Sequence, residues 1–126
     1  MPREPVHTDN APAAIGTYSQ AVRHGGLLFI SGQIPLDPVT GALVGGDITV
    51  QVRQVFANLA AVADAAGTSL AETLKFTVYL TDLGDFATVN AVMEELLGAP
   101  YPARAAVEVA ALPKGARVEV DAIVAC

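Results

Sequence analysis

The sequence has few of the residues from which proteins build disulfides, metal sites or reactive thiols. Only one of its 126 residues is a cysteine, and because that residue is Cys126 no internal disulfide can form. Its two histidines, His7 and His24, lie near the N-terminus and give no spacing typical of a transition-metal site. If the chain is an enzyme, we therefore expect it to work without a metal or a catalytic thiol.

Basic residues are also scarce. Seven Lys and Arg residues face thirteen Asp and Glu residues, and the net charge of -6 comes with no basic cluster. A nucleic-acid partner is not expected, because binding to phosphates needs a concentrated positive surface. No apolar run reaches the roughly 18 residues of a membrane span. The opening residues lack the apolar core of a signal peptide, which predicts a cytoplasmic protein.

Hydrophobic residues, in contrast, are abundant, at 52% of the chain. The length predicts a single domain over residues 1–126, with residues 1–14 partly irregular. A chain of this size with so much apolar surface is expected to cover part of it in an oligomer.

Hydrophobic periodicity predicts five strands and two helices. Glycines in "HGG" indicate a tight hairpin between two strands. Asp47 is placed to cap a helix whose apolar residues recur every three or four positions as far as Ala66, and Gly67 is placed to end it. "LKFTVYL" alternates as a strand does. A second helix is predicted from about Phe86 to Leu97, followed by two strands over residues 105–110 and 117–125.

The resulting order, ββαβαββ, predicts an α+β fold in which both helices cover one face of a mixed sheet. If the most apolar residues of each strand meet the helices, the other face carries a mixed set of charged and apolar side chains, including Arg104, Glu108, Glu119, Asp121 and Tyr79. Such a face is typical of an interface between subunits that contains polar sites.

Four segments resemble one family closely: "AIGTYSQAV", "LLFISGQIPLDPVTGALVGGDI", "TVYLTDLGDFATVN" and "YPARAAVEVAALPKGARVEVDAI". They are similar, in register from about Ala11 to the C-terminus, to the reactive-intermediate deaminases (Rid or YjgF/UK-type proteins, once labelled L-PSP endoribonucleases). The resemblance implies a chorismate-mutase-like fold and a homotrimer with a ligand site in each cleft between subunits. It also implies hydrolysis of 2-iminobutanoate, 2-iminopropanoate and related 2-imino acids to 2-keto acids and ammonia, without a cofactor.

The resemblance further implies which residues form the site. Arg104 of the "PAR" segment would bind the substrate carboxylate, and Ser31 and the backbone N–H of Gly32 would lie near the same anion. Glu119 would position the attacking water. The remaining cleft residues would be Tyr18, Phe86, Asn90 and Ala106.

Two positions depart from the family pattern. Many members have proline where this chain has Thr17, and many have cysteine where it has Ala106. The first change frees a loop without removing a functional group, and the second is expected to alter the pocket volume and substrate preference.

Other readings of the same residues remain open. Taken alone, Arg104 could pair with a nearby glutamate or simply be solvated, and Glu119 could be a polar residue on an exposed strand. The runner-up function is a regulatory trimer that binds small carboxylates without turnover. The endoribonuclease or translation-inhibitor activity once attached to the family fits an acidic chain poorly.

Overall fold

A computed structural model of the chain describes residues 2–126. Its strands are β1 (Glu4–Val6), β2 (Ala21–His24), β3 (Leu27–Gln33), β4 (Thr73–Leu80), β5 (Ala103–Glu108) and β6 (Val118–Ala125). They form one mixed sheet in the order β1-β2-β3-β6-β4-β5, in which only the β4–β5 pair is parallel. The helices are α1 (Ile48–Ala65) and α2 (Phe86–Leu96). The predicted α+β class and mixed sheet are confirmed.

The first helix begins and ends where the sequence predicts. The Asp47 carboxylate accepts a hydrogen bond from the backbone N–H of Val50 at 3.1 Å, which satisfies one of the free donors of the first turn. Gly67 follows the last turn with φ of 82°, a conformation that glycine adopts without steric cost. No helix within residues 2–126 is both long enough and apolar enough to cross a membrane.

The second helix begins differently from the prediction. Asp85 makes no side-chain capping bond, and its carboxylate instead accepts a hydrogen bond from Arg117 at 3.0 Å. The preceding turn is capped by Asp82, which accepts from the N–H of Gly84 at 2.8 Å. The Asp85 side chain therefore joins the start of α2 to the start of β6.

Both helices pack on one face of the sheet, which we call the helix face. Alternate residues of β6, from Val118 to Val124, are buried there, together with the apolar stripes of α1 and α2. At its centre the rings of Phe56 and Phe76 meet edge to face, with their centroids 5.5 Å apart. Burial of these side chains on one side accounts for the period of two along the strands.

The opposite face, which we call the open face, is not covered by any element of residues 2–126. It carries Glu119 and Asp121 from β6 and Thr77 and Tyr79 from β4, which the strand register places side by side. Apolar side chains such as Phe29, which is 43% exposed, are also on this face. The sheet thus has one dry face and one face of mixed chemistry.

Three features of the sheet go beyond the predicted strand order. The N-terminal segment contributes a sixth strand, β1, which pairs with β2. A register shift between Thr73 and Lys75 buries Thr73 and leaves Leu74 exposed, although the alternation placed Leu74 inside. A second register shift lies between Ile30 and Gln33, so the "SGQ" segment is a bulge in β3.

Candidate functional site

Arg104 lies on the edge strand β5 and is held by residues of α2. Its guanidinium donates a hydrogen bond through one terminal nitrogen to Asn90 Oδ1 at 2.9 Å. The guanidinium carbon is 4.8 Å from the centre of the Phe86 ring, in the range of a cation–π contact. Phe86 and Asn90 are four residues apart, which puts both on the same side of the helix. The predicted site residues Arg104, Phe86 and Asn90 are therefore in contact.

The positive charge of Arg104 is not neutralised within residues 2–126, where it forms no salt bridge. The Asn90 side chain in turn donates a hydrogen bond through Nδ2 to Glu94 Oε1 at 3.3 Å. Arg104 lines a small cavity of about 230 Å³, the arginine cavity, whose other lining residues are Asn90, Met93, Glu94, Tyr101 and Pro102. Arg104 does not pair with a glutamate within residues 2–126, which removes one of the alternatives that the sequence left open.

Glu119 lies on the open face, beside the bulge of β3. A Cβ atom built on Gly32 would be 2.1 Å from Glu119 Oε2 and 2.9 Å from Cδ. Only glycine lets the carboxylate approach the backbone this closely. Glu119 and Gly32 line a larger cavity of about 440 Å³, the glutamate cavity, together with Ile15, Tyr18, Leu36, Lys114 and several further apolar residues.

The electrostatic surroundings of Glu119 favour its protonated form. Burial, and then the negative charge of Asp121, raise the pKa of the Glu119 carboxyl above its ordinary value. The hydroxyl of Tyr79 donates a hydrogen bond to Asp121 Oδ2 at 3.0 Å. Burial, and then this bond to Asp121, raise the pKa of the Tyr79 phenol. The row of Tyr79, Glu119 and Asp121 is thus an electrostatically coupled group.

Tyr18 and Ser31 lie next to the glutamate cavity. Tyr18 is 53% exposed and lines both this cavity and an adjoining one, which also has Thr17 and Ser31 in its wall. The hydroxyl of Ser31 donates to the backbone carbonyl of Ser19 at 2.6 Å, which fixes the loop carrying Tyr18 against the bulge. Ser31 therefore has a structural bond in this chain, in addition to the role that the resemblance implies.

Ala106 lies on the helix face, where it pairs with Val78 of β4 and packs against the core. It is on the same side of β5 as Arg104, two residues away. It does not line the arginine cavity.

The structure puts Arg104 and Glu119 on opposite faces of the sheet, although the sequence placed them on one face. In the parallel register, Arg104 pairs with Phe76 and Glu108 pairs with Leu80, both of which are buried on the helix face. Glu119 pairs with Tyr79 on the open face. The predicted grouping of Arg104 and Glu108 with Glu119 and Asp121 is therefore wrong. Alternation in β5 is ambiguous, because both of its sides carry alanines and the strand forms an edge.

Glu108 and Lys114 were both left out of the predicted site. Glu108 accepts a hydrogen bond from the backbone N–H of Leu83 at 2.9 Å, a structural role consistent with its omission from the predicted site. Lys114 was missed, although it lines the glutamate cavity with a left-handed backbone at φ of 59°. The "PKG" turn gave no signal for this conformation, because its glycine, Gly115 at φ of 73°, is the residue expected to have positive φ.

Comparisons with known proteins agree in pointing to one family. A model of the family described as endoribonuclease L-PSP matches residues 8–126. The chain is 54% identical to the RutC family protein y4sK of Sinorhizobium fredii, with 96% of each chain covered. It is 49% identical to the 2-iminobutanoate/2-iminopropanoate deaminase of Salmonella typhimurium, with 94% of each covered. The crystal structure of RidA from an Antarctic Psychrobacter has a TM-score of 0.94 at 53% identity, covering 98% of this chain and 100% of that one.

Proposed function

Because the chain belongs to the endoribonuclease L-PSP family, also called Rid or YjgF, we propose that it hydrolyses 2-imino acids to 2-keto acids and ammonia. The observation that carries the proposal is the unneutralised guanidinium of Arg104 in its cavity. A relative at 49% identity bears the name of a 2-iminobutanoate/2-iminopropanoate deaminase, which supports the same substrate class.

Arg104 would bind the substrate carboxylate. A guanidinium offers two parallel N–H groups that match the two oxygens of a carboxylate. One terminal nitrogen already donates to Asn90, so the guanidinium is oriented before the substrate arrives. The Phe86 ring, whose centre is 4.8 Å from the guanidinium carbon, further supports the cation. Pre-orientation lowers the entropic cost of binding, which favours even a small substrate.

Glu119 would orient the attacking water and accept its proton. Water adds to the C=N carbon of the protonated imine and gives one proton to Glu119. After that proton has passed to the nitrogen, the C–N bond breaks, ammonia leaves, and the hydroxyl oxygen releases its proton to solvent as it becomes the carbonyl of the 2-keto acid. A carboxylate with a raised pKa is a stronger base than an ordinary glutamate, and it can return the proton to the departing nitrogen. Holding water and imine together also contributes several kcal/mol, roughly, by proximity.

Arg104 and Glu119 lie on opposite faces of the sheet in one chain, so one substrate cannot easily meet both. We propose that each site lies between two subunits of a homotrimer, with Arg104 from one copy and Glu119 from the next. The uncovered open face, with Phe29 and Val107 each 43% exposed, supports such an assembly. In a cyclic trimer every copy gives one half of a site to each neighbour.

A subunit-mixing experiment tests this arrangement. Arg104→Ala and Glu119→Gln variants should each hydrolyse imine poorly, whether the imine is generated by a dehydratase or by an amino-acid oxidase. When the two are unfolded together and refolded in equal amounts, about a quarter of the sites should regain both residues by random assembly. The control replaces the second variant by the double variant, which cannot restore a site because no copy carries Arg104.

The result of the mixing experiment distinguishes a shared catalytic site from a regulator that only binds carboxylates. Recovery of activity in the mixture supports imine hydrolysis at a shared site. Mixtures that stay inactive while the wild-type protein turns over the imine would refute the shared site. Binding of a 2-keto acid by a wild-type protein with no imine turnover would instead favour a carboxylate-binding regulator.

A further inference from the structure

We propose that Asp121, anchored by the Tyr79 hydroxyl, is a positioning residue that strengthens Glu119 as the base. This inference rests on the imine hydrolysis proposed above and concerns the same site. It assigns a role to Tyr79 and Asp121, two neighbours of Glu119 on the open face.

The backbone fixes the spacing of the two carboxylates. Glu119 and Asp121 are two residues apart on β6, so their side chains leave the same face about 7 Å apart along the strand. Gly32 receives the Glu119 carboxylate on the β3 side. On the β4 side, Tyr79 lies directly opposite Glu119, and its hydroxyl reaches diagonally to Asp121 at 3.0 Å.

The Tyr79 bond keeps the second charge in place. A phenol that donates to a carboxylate makes a charge-assisted bond, which holds Asp121 in one direction on the strand surface. A fixed negative charge at this distance disfavours a second one on the half-buried Glu119. Glu119 is then a carboxylate with a raised proton affinity, a property that favours a general base.

The charges that face Glu119 from other elements have partners or lie farther along the strands. Arg117, which directly precedes β6, donates to Asp85 at 3.0 Å, and Lys114 donates to the carbonyl of Gly41 at 3.3 Å. Lys75 of β4 pairs with Ile123, four residues from Glu119. The titratable and charged groups around Glu119 are thus Asp121, Arg117, Tyr79, Lys75, Tyr18 and Lys114. Consistent with this arrangement, burial and the Asp121 charge raise the pKa of Glu119.

The test measures the titration of Glu119 directly. Carbon-13 NMR of the glutamate side-chain carboxyls is recorded against pH in the intact protein, and the Glu119 signal is assigned by its loss in Glu119→Gln. Asp121→Asn keeps the shape of the residue and its acceptor oxygen for Tyr79, but removes the charge. We expect the Glu119 titration to move to lower pH in Asp121→Asn and to stay in place in Asp121→Glu.

Kinetics supply the second readout. The acid limb of the pH profile of kcat/KM should move to lower pH in Asp121→Asn, since the free base persists at lower pH. Turnover above the limb should fall by less than about tenfold, against roughly 10²–10⁴ for loss of the base itself. Asp64→Asn, the matched control, removes the same charge from an exposed position on α1 and should change neither readout.

An unchanged Glu119 titration in Asp121→Asn would overturn the inference, even in an active enzyme. A shifted titration with an unshifted acid limb would also overturn it, because Asp121 would then have no effect on the reaction. Absence of imine turnover in the wild-type protein is a different result, since it refutes the proposed function whatever the titration shows. A refolding failure of Asp121→Asn leaves Asp121→Ser as the charge-removing variant, read out in the same way.

Discussion

Replacing Arg104 by lysine tests the carboxylate-binding role without removing the positive charge. In the structure the guanidinium makes one bond to Asn90 at 2.9 Å and retains further N–H groups for a ligand. A lysine ammonium can donate to Asn90 or to the substrate, but it cannot present two parallel N–H groups at a fixed angle. It would also change the contact with Phe86, whose ring centre is 4.8 Å from the guanidinium carbon.

The expected loss follows from the bonds removed. A hydrogen bond to a charged group contributes about 1.5–3 kcal/mol, so loss of one of the paired bonds predicts a fall in kcat/KM of roughly ten- to a hundredfold. Arg104→Ala, which removes both bonds and leaves the site without its cation, should abolish measurable turnover. Neither change should affect folding strongly, because Arg104 is exposed and takes part in no salt bridge within residues 2–126.

The assay follows the disappearance of 2-imino acid generated in situ, with the generating enzyme held in excess. Arg53→Lys is the matched control, because Arg53 pairs with Glu95 at 2.6 Å between the helices and lies outside both cavities. Circular dichroism and the elution volume establish that each variant is folded and assembled. Near-normal kcat/KM in Arg104→Lys would refute the paired-bond argument, and near-normal kcat/KM in Arg104→Ala would remove Arg104 from the site.

Three further predictions concern the assembly and Glu119. Light scattering after size exclusion should give about three times the chain mass of 12.9 kDa, and a stable monomer would contradict a shared site. Gly32→Ala should lower turnover at least about tenfold, because its Cβ would lie 2.1 Å from Glu119 Oε2; Gly45→Ala, which meets nothing within 4 Å, should not. Glu119→Gln should still bind a 2-keto acid in calorimetry while turnover falls roughly 10²–10⁴-fold. Equal losses of binding and turnover would mean that Glu119 binds the ligand or stabilises the fold. Glu108→Gln is the control.

The helices could be predicted from the sequence because their signals are local. The apolar stripe of α1, the carboxylate of Asp47 at its start and Gly67 at its end all lie within twenty-one residues, and the structure has each of them in the predicted role. Asp85 failed as a cap because Arg117, more than thirty residues away, offers its carboxylate a charged donor. Local propensity cannot include a partner that only the tertiary fold supplies.

The sheet register required information that alternation does not contain. One extra residue at the shift between Thr73 and Lys75 exchanges the two sides of the strand, so Leu74 faces outward despite its apolar side chain. No pattern in "ETLKF" marks that shift. The bulge in β3 had a visible signal, Gly32, and here the glycine is required by the approach of a carboxylate from β6.

The side on which Arg104 lies has the largest consequence for function. Alternation correctly put Arg104, Ala106 and Glu108 on one side of β5, but the small residues on both sides of that strand led to the wrong prediction that this side faces away from the helices. The parallel pairing with β4 assigns it to the helix face, next to Phe76. Glu119 pairs with Tyr79 on the other face. If one substrate needs both side chains, a second copy of the chain must bring the missing one. Catalysis then depends on assembly. A variant that only weakens the trimer should retain turnover in proportion to the fraction of trimer that remains.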